Sequence, residues 1–347
     1  MKTSIFKISL LFTILVACSL QTKANHVKSL HRSWPQNKVQ SLSIENKFGN
    51  INFIDTRKDS VTIDVSVTFF DVPEKKAQTL SSLIHFEFEI EEGRVKAKTI
   101  FDSDFKSNNK FEINYTINIP ENRYLDIKNK FGNVTLQDLK SGGEFDIAYG
   151  NINGNKITSK SSEKVKIDLK YGNGSFESID RVNAKISYSG ITINELSEGQ
   201  LNTKYSTIKA ENCGKLISES EYDTYSLGTI ENIEINSKFT SWNIGELKSK
   251  FNFINQYGDL KIRNVSKNFK EINIDNQFGD IKVNIDPTAT YNLKADCKFC
   301  NINYPKTSPT KLIKDDFHCY VEATIGTGSV KSTVEVQSKY GKVDLME

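Results

Sequence analysis

The sequence is poor in the residues that most often carry chemistry. It has four histidines, His26, His31, His85 and His318, and no two of them stand at metal-ligand spacing. It lacks a glycine-rich phosphate loop, a G-x-S-x-G serine elbow and the Gly- and Asp-rich nonapeptide of calcium-binding β-rolls. Proline is scarce, and two methionines with few Ala or Leu argue against a helical protein. Charge of one sign is lacking as well: 46 Lys and Arg face 43 Asp and Glu, a net charge of +3. The two signs are interleaved, which reads as a solvated surface and makes no demand for nucleic acid. After residue 24 no apolar run is long enough to span a membrane. The 347 residues, 37% of them hydrophobic, suffice for one long domain or two ordinary ones.

Residues 1–24 read as a signal peptide. Lys2 and Lys7 precede an apolar run over 8–17, and Thr22-Lys23-Ala24 offers the small residues that signal peptidase reads. Simple cleavage near Ala24 is the first reading. The second is a lipoprotein: Leu15-Val16-Ala17-Cys18 resembles a lipobox and would acylate Cys18. Either one makes the protein exported, to the periplasm or the cell envelope and surface. Four cysteines then remain, Cys213, Cys297, Cys300 and Cys319, in an oxidising compartment. Cys297-x-x-Cys300 lacks the strand–helix context of a redox motif, so a structural disulfide or free thiols are expected. Alternation sets Leu293, Ala295, Cys297 and Phe299 on one face and Cys319, Val321, Ala323 and Ile325 on another. The expected bridge is Cys297–Cys319, with Cys300–Cys319 as the second pairing.

What the sequence has in abundance is self-similarity. Tyr188, Tyr205, Tyr222 and Phe239 follow one another at intervals of 17 residues, opening the phrases YSGITI, YSTIKA, YDTYSL and FTSWNI. Related phrases start at Phe48, Phe131, Tyr149, Tyr171, Tyr257, Phe278, Phe299 and Tyr340. The step from Phe299 to Tyr340 is 41 residues, about two repeats, so an irregular coil or an insertion is expected there. In one unit Ile191 and Ile193 form a first strand, Leu196 marks a bend, and Leu201, Thr203 and Tyr205 form a second; alternation turns all of them inward. The Gly after many of the aromatics suits a positive-φ corner. The Asn or Asp that follows (Asn133, Asn151, Asn173, Asp259, Asp280, Asn301) is expected to hold the turn through its own backbone.

A unit this short cannot bury its own apolar face, whereas stacked units can, with parallel strands roughly 4.8 Å apart. A propeller blade takes roughly 40 residues or more, and a sandwich needs no fixed interval. The expected fold is all-β: a right-handed single-stranded parallel β-helix, or β-solenoid, on the order of 50 Å long after Phe131. Residues 25–122 form an N-terminal coil with an inserted strand–helix–strand layer, and 123–347 are β-helix repeats. Within the insert, 61–69 alternates as a strand, and Pro73 opens a helix over 74–83 with Ala77, Leu80 and Ile84 on one side. Glu92-Gly93 turns a hairpin.

The S/N-K-Y/F-G-[ND]-[IV]-x-[IVL] phrase stands at 129–136 and, with Lys342 in the Asn/Asp place, at 338–345. It resembles the adhesin-like β-strand-repeat family of exported bacterial proteins, as does the order of parts: signal peptide, short lead, FGN coil, insert, repeats. The likeness spans most of residues 40–347. It implies a single-stranded right-handed β-helix and supplies no catalytic residues. The chain departs from the pattern at Cys300, where a Gly is usual, and in an insertion over 306–316.

The candidate sites are few. Tyr225 and Trp242 are 17 residues apart and stack on adjacent coils, where most copies carry Ile, Leu or Val. They read first as core stacking and second as a carbohydrate platform, the one candidate binding surface. Lysine often precedes the aromatic (Lys47, Lys130, Lys170, Lys204, Lys238, Lys298, Lys339), but Ala148, Ser187, Glu221, Gln256 and Gln277 interrupt the row, so a solvated, compensated face is favoured over an anion-binding stripe. Asp275, Asp280 and Asp286 fall at different places of one coil and do not make the paired carboxylates of glycoside hydrolysis. No catalytic, cofactor-binding or metal-ligating residues are assigned. The expected function is an exported, non-catalytic, adhesin-like protein that binds envelope or cell-surface glycans or proteins, or serves there structurally. The alternative is a polysaccharide-active β-helix enzyme, a lyase or hydrolase. No nucleic acid and no transmembrane span are expected, and oligomeric state is not readable.

Overall fold

A computed structural model describes residues 26–56, 58–159 and 163–346. The leader and Cys18 lie outside the described residues. The fold is nearly all β and is a parallel solenoid. Its repeating unit is clearest in Gly190–Lys204, a single bent strand with Ile191, Ile193, Leu196, Leu201 and Thr203 inside. Asn194 and Glu195 both face outward, so alternation breaks and the strand bends there to wrap the core. Each coil pairs with the next in register across one repeat: Ile191 lies beside Ile208, Ile208 beside Tyr225, and Tyr225 beside Trp242. Equivalent side chains therefore form columns along the axis, and the apolar columns fill the interior.

The corner corrects the sequence reading. Tyr205 continues the alternation Leu201, Thr203, yet it points outward and is 43% exposed. The reason is its φ of 51°, a left-handed conformation that turns the side chain over. The same is true of Phe299, with a φ of 57° and 51% exposure.

The N-terminal end is closed by antiparallel strands. His26–Pro35 pairs with Ser60–Phe69, which pairs with Phe111–Ile119, and the last runs parallel to Ile51–Asp55. On the other side the Ile84–Glu91 and Arg94–Phe101 hairpin joins Ser41–Lys47 in parallel through its second strand. The helix Glu74–Ser82 buries Ala77 and Leu80.

The C-terminal end departs from sequence order. Strand Ser332–Lys339 lies between Glu271–Gln277 and Tyr291–Lys298, parallel to both. Tyr291–Lys298 carries His318–Ile325 antiparallel on its other edge, followed by Lys311–Lys314. The long step to Tyr340 is therefore neither an irregular coil nor a simple insertion. The chain builds the terminal layers first and then returns to fill the place left beneath them.

Cys297 bonds to Cys300, with Cα atoms 5.4 Å apart, and Cys319 is free. The expected Cys297–Cys319 bridge is not formed, although the two residues do lie opposite each other in the antiparallel pair. Cys297 occupies the inward place two residues before a corner aromatic. At Asn255 and Asn276 that place holds an amide whose Nδ2 donates to the carbonyl three residues on, at Gly258 and Gly279, at 2.6 Å each. The disulfide spans the same two positions and replaces that clamp by a covalent bond. Burial pushes the Cys213 thiol up to about 12. Native protein should accordingly leave Cys213 and Cys319 unlabelled by a thiol reagent and release both on denaturation, with Cys297 and Cys300 linked in one non-reduced peptide. A peptide linking Cys319 to either partner would contradict this pairing.

Candidate functional site

The corner aromatics form one continuous column. All twelve, from Phe48 to Tyr340, have φ between 51° and 62°. Ring stacks with neighbouring ring at 4.7–5.2 Å, in the spatial order Phe48, Phe131, Tyr149, Tyr171, Tyr188, Tyr205, Tyr222, Phe239, Tyr257, Phe278, Tyr340, Phe299. The spacing is that of neighbouring strands. The left-handed backbone costs each residue about 1–2 kcal/mol. Stacked aromatic pairs return about 0.5–1.5 kcal/mol each, and an interior ring has two such neighbours.

Two devices hold the corner. In the first, Gly follows the ring and the next residue is usually Asn or Asp. These glycines do not have positive φ; the left-handed residue is the aromatic itself. Gly is required because a Cβ at Gly279 would stand 1.9 Å from the Gly258 carbonyl oxygen of the adjoining coil. The Asn and Asp side chains bridge coils instead of holding their own turns: Asn50 Oδ1 accepts the Asn133 N–H at 2.9 Å, Asn133 accepts from Asn151 at 2.9 Å, and Asp259 from Asp280 at 2.9 Å. In the second device Ser189, Ser206, Asp223 and Thr240 replace the Gly. Their oxygens accept the N–H of the corner before them, as Asp223 Oδ1 does from Ser206 at 2.6 Å. Asp223 is buried, and desolvation pushes its carboxyl above the usual range.

Eleven rings are 41–51% exposed, and Phe48 is covered further by Phe101 and Phe111. Each interior ring has both faces covered by its neighbours, so the column offers edges and hydroxyls, with no free face for a sugar ring. Five tyrosines in succession, Tyr149 to Tyr222, align their hydroxyls. Among the described residues only Tyr115, Tyr225 and Tyr320 have hydroxyls bonded to another protein group, and none of these belongs to the column. Lysines flank it: Lys130 Nζ lies 5.0 Å from the Phe131 ring and 5.5 Å from Tyr149. Lys204 is paired with Glu221 at 2.8 Å and Lys170 with Asp168 at 3.0 Å. The outward residues three places before the rings include Glu45, Asp146, Asp168, Glu219, Asp275 and Asp296, so the stripe is charge-compensated.

Tyr225 and Trp242 are not on this surface. They are 0% and 1% exposed, with ring centroids 3.8 Å apart inside the solenoid. The Tyr225 hydroxyl bonds Thr203 and Ser218, each at 2.7 Å. The carbohydrate-platform reading fails because their places, three residues after the corner, return to the inward alternation. The exposed column carried a signal of its own: every corner is Phe or Tyr, whereas each inward place varies from coil to coil, as Ile191, Ile208, Tyr225 and Trp242 do.

Asp280 and Asp286 have separate structural roles. Asp280 accepts the Lys342 N–H at 2.9 Å, and Asp286 holds the next turn through Thr288. Three histidines make isolated pairs, His31 with Asp64, His85 with Asp102 and His318 with Asp296. Among the described residues no His, Cys, Asp and Glu cluster has the arrangement of a metal site, and no helix is long and apolar enough to cross a membrane.

No family model matches the chain, and no curated protein matches it. Among solved structures, the chain is similar to a "putative cell adhesion protein" from Clostridium sporogenes, at 10% identity and a TM-score of 0.24, over 92% of this chain and 99% of that one. It is similar to a "putative adhesin" from Parabacteroides distasonis at 12% identity and a TM-score of 0.32, over 75% and 90%. A "putative lipid binding protein" from the same species is 12% identical with a TM-score of 0.26, over 74% and 92%.

Proposed function

We propose that this chain is an exported, non-catalytic binding rod with an adhesin-like role, and that it engages an extended envelope or cell-surface ligand, glycan or protein, along its aromatic column. The observation that carries this reading is the unbroken, half-exposed file of rings with unpartnered hydroxyls. A contiguous exposed aromatic stripe of this length is characteristic of an interaction surface. Edge-on rings bring apolar contact, and the aligned hydroxyls can donate or accept, so a chain lying along the axis meets the same contact at every coil. Many weak contacts then add along one ligand. Export rests on residues 1–24, with cleavage near Ala24 or acylation at Cys18 as its two routes.

The triple variant Tyr171→Phe, Tyr188→Phe, Tyr205→Phe tests the reading without dismantling the column, because every ring remains stacked. Its melting temperature should match the parent, and its binding to isolated envelope fractions and a glycan array should fall about tenfold, as expected for three lost hydrogen bonds of modest strength. Unchanged binding would take the column out of the interaction. Turnover of a polysaccharide, abolished by changing one carboxylate, would replace the binding reading with the enzymatic one.

A further inference from the structure

The out-of-order strand at the C-terminal end creates a cleft on the side away from the aromatic column. To pass from His318–Ile325 to Ser332–Lys339, residues 326–331 must cross the turn at 286–290, and they come to lie near the turn at 266–270. The three segments line an open cleft of about 1140 Å³. Its walls are tied together: the Gly328 N–H donates to Thr290 Oγ1 at 3.1 Å, and the Ser332 hydroxyl donates to the Phe269 carbonyl. Gly326 has a φ of 86°, and a Cβ there would stand 2.6 Å from the Ala289 carbonyl oxygen, so this close crossing needs glycine.

Lys267, Lys270 and Lys331 line the cleft with the hydroxyls of Thr288, Thr327 and Ser329, and no carboxylate lines it. Among the described residues none of the three lysines is in an ion pair, and the carboxylates beside the lining segments 266–270 and 286–290, Glu271 and Asp286, have other partners. Asp286 Oδ1 accepts from the Thr288 N–H and hydroxyl at 2.8 and 2.6 Å, although Lys267 is near enough to help hold its carboxyl below the usual range. Glu271 faces Lys250 at 4.0 Å and accepts from Asn273 at 2.7 Å. Like charges gathered in one concavity repel each other, and a bound anion relieves that repulsion while the walls focus the field on it. The lining is hydroxyl-rich, which suits a hydrophilic ligand. The volume is a little above the usual range of about 300–1,000 Å³ for small-molecule sites, far more than one inorganic ion requires.

We propose that this cleft binds an acidic oligosaccharide, with the three lysines on its sulfate, phosphate or uronate oxyanions and the Thr and Ser hydroxyls on its sugar oxygens. The site is remote from the aromatic column, so it does not depend on the role assigned to the column. The test is calorimetric titration of the full mature chain with a sulfated hexasaccharide, a hexagalacturonate, inorganic sulfate and a neutral hexasaccharide. One or both acidic hexasaccharides should bind, more weakly as salt rises, while the neutral one should not. Lys267→Gln, Lys270→Gln, Lys331→Gln together should weaken that binding at least tenfold with no change in melting temperature. Lys185→Gln, Lys209→Gln, Lys215→Gln, three exposed lysines on other coils, should leave it intact. Equal loss in both triples would mean diffuse attraction to a basic surface and would overturn the site. So would equal binding of the neutral sugar, binding of inorganic sulfate as tight as that of the oligosaccharides, or no binding by either acidic hexasaccharide. The Tyr→Phe triple should bind these sugars like the parent, so failure of either reading is seen separately.

Discussion

The double variant Tyr225→Ala, Trp242→Ala should be largely unfolded at 37 °C. Both side chains are fully enclosed, stacked at 3.8 Å, and belong to adjoining coils. Truncating a buried aromatic costs about 3–5 kcal/mol, from lost transfer energy and from the cavity left behind. The two losses are coupled because the rings touch, so their sum is an upper bound. Even part of it is comparable with a whole domain's stability of about 5–15 kcal/mol. Removing Tyr225 also strips Thr203 and Ser218 of a partner in the dry interior. Tyr225→Phe isolates that second effect and should cost about 1–3 kcal/mol. Circular dichroism melts of the three proteins check the order: parent highest, Tyr225→Phe between, the double variant lowest or without a transition. A double variant that melts with the parent would mean that the pair is not in the core.

Gly258→Ala should be strongly destabilising although it adds a single methyl. Its Cβ would fall 2.1 Å from the Thr240 carbonyl oxygen and 2.9 Å from both that carbonyl's carbon and the Thr240 nitrogen. These are backbone atoms of a stacked coil, so no rotamer change gives relief, and the coils must part or shear. Overpacking of this kind costs about 3 kcal/mol or more when nothing can yield. The displacement also breaks the side-chain bridge from Asp259 to Asp280 and the stack of Tyr257 on Phe239. Lys261→Val, an exposed change on the following strand, should lie within about 0.5 kcal/mol of the parent. Urea titration of both variants separates them by midpoint, and coincident midpoints would remove steric contact between coils as the reason for glycine. A pure conformational requirement is not the cause, since Gly258 has no positive φ.

The repeat, the parallel stacking and most of the core were legible because each depends on local period. Ile191, Ile193, Leu196 and Leu201 alternate or bend as the residues around them dictate, and the structure buries all four. The outward column is hidden from the sequence for the same reason. Alternation assumes an extended backbone, and a single residue at φ near 55° reverses the side chain while leaving the spacing unchanged. The Asn and Asp ladder is likewise hidden, because sequence shows only neighbours along the chain and its partners are 18 to 83 residues away.

The chain's own order of residues determined that short apolar strands must stack, since no unit can bury its face alone, and it marked where every corner falls. Tertiary structure decided what each corner presents and what each end contains. The corner rings face out because each aromatic has a left-handed φ that turns its side chain over, and the adjoining coil offers a ring to stack on. Cys297 found Cys300 instead of Cys319 because the corner brings the inward place and the former glycine place to within bonding reach. The lysine cleft exists because strand Ser332–Lys339 enters between two layers already present in sequence, and its crossover gathers Lys267, Lys270 and Lys331. Such a meeting depends on which edge remains open once the other strands have paired, a quantity that no local pattern of residues encodes.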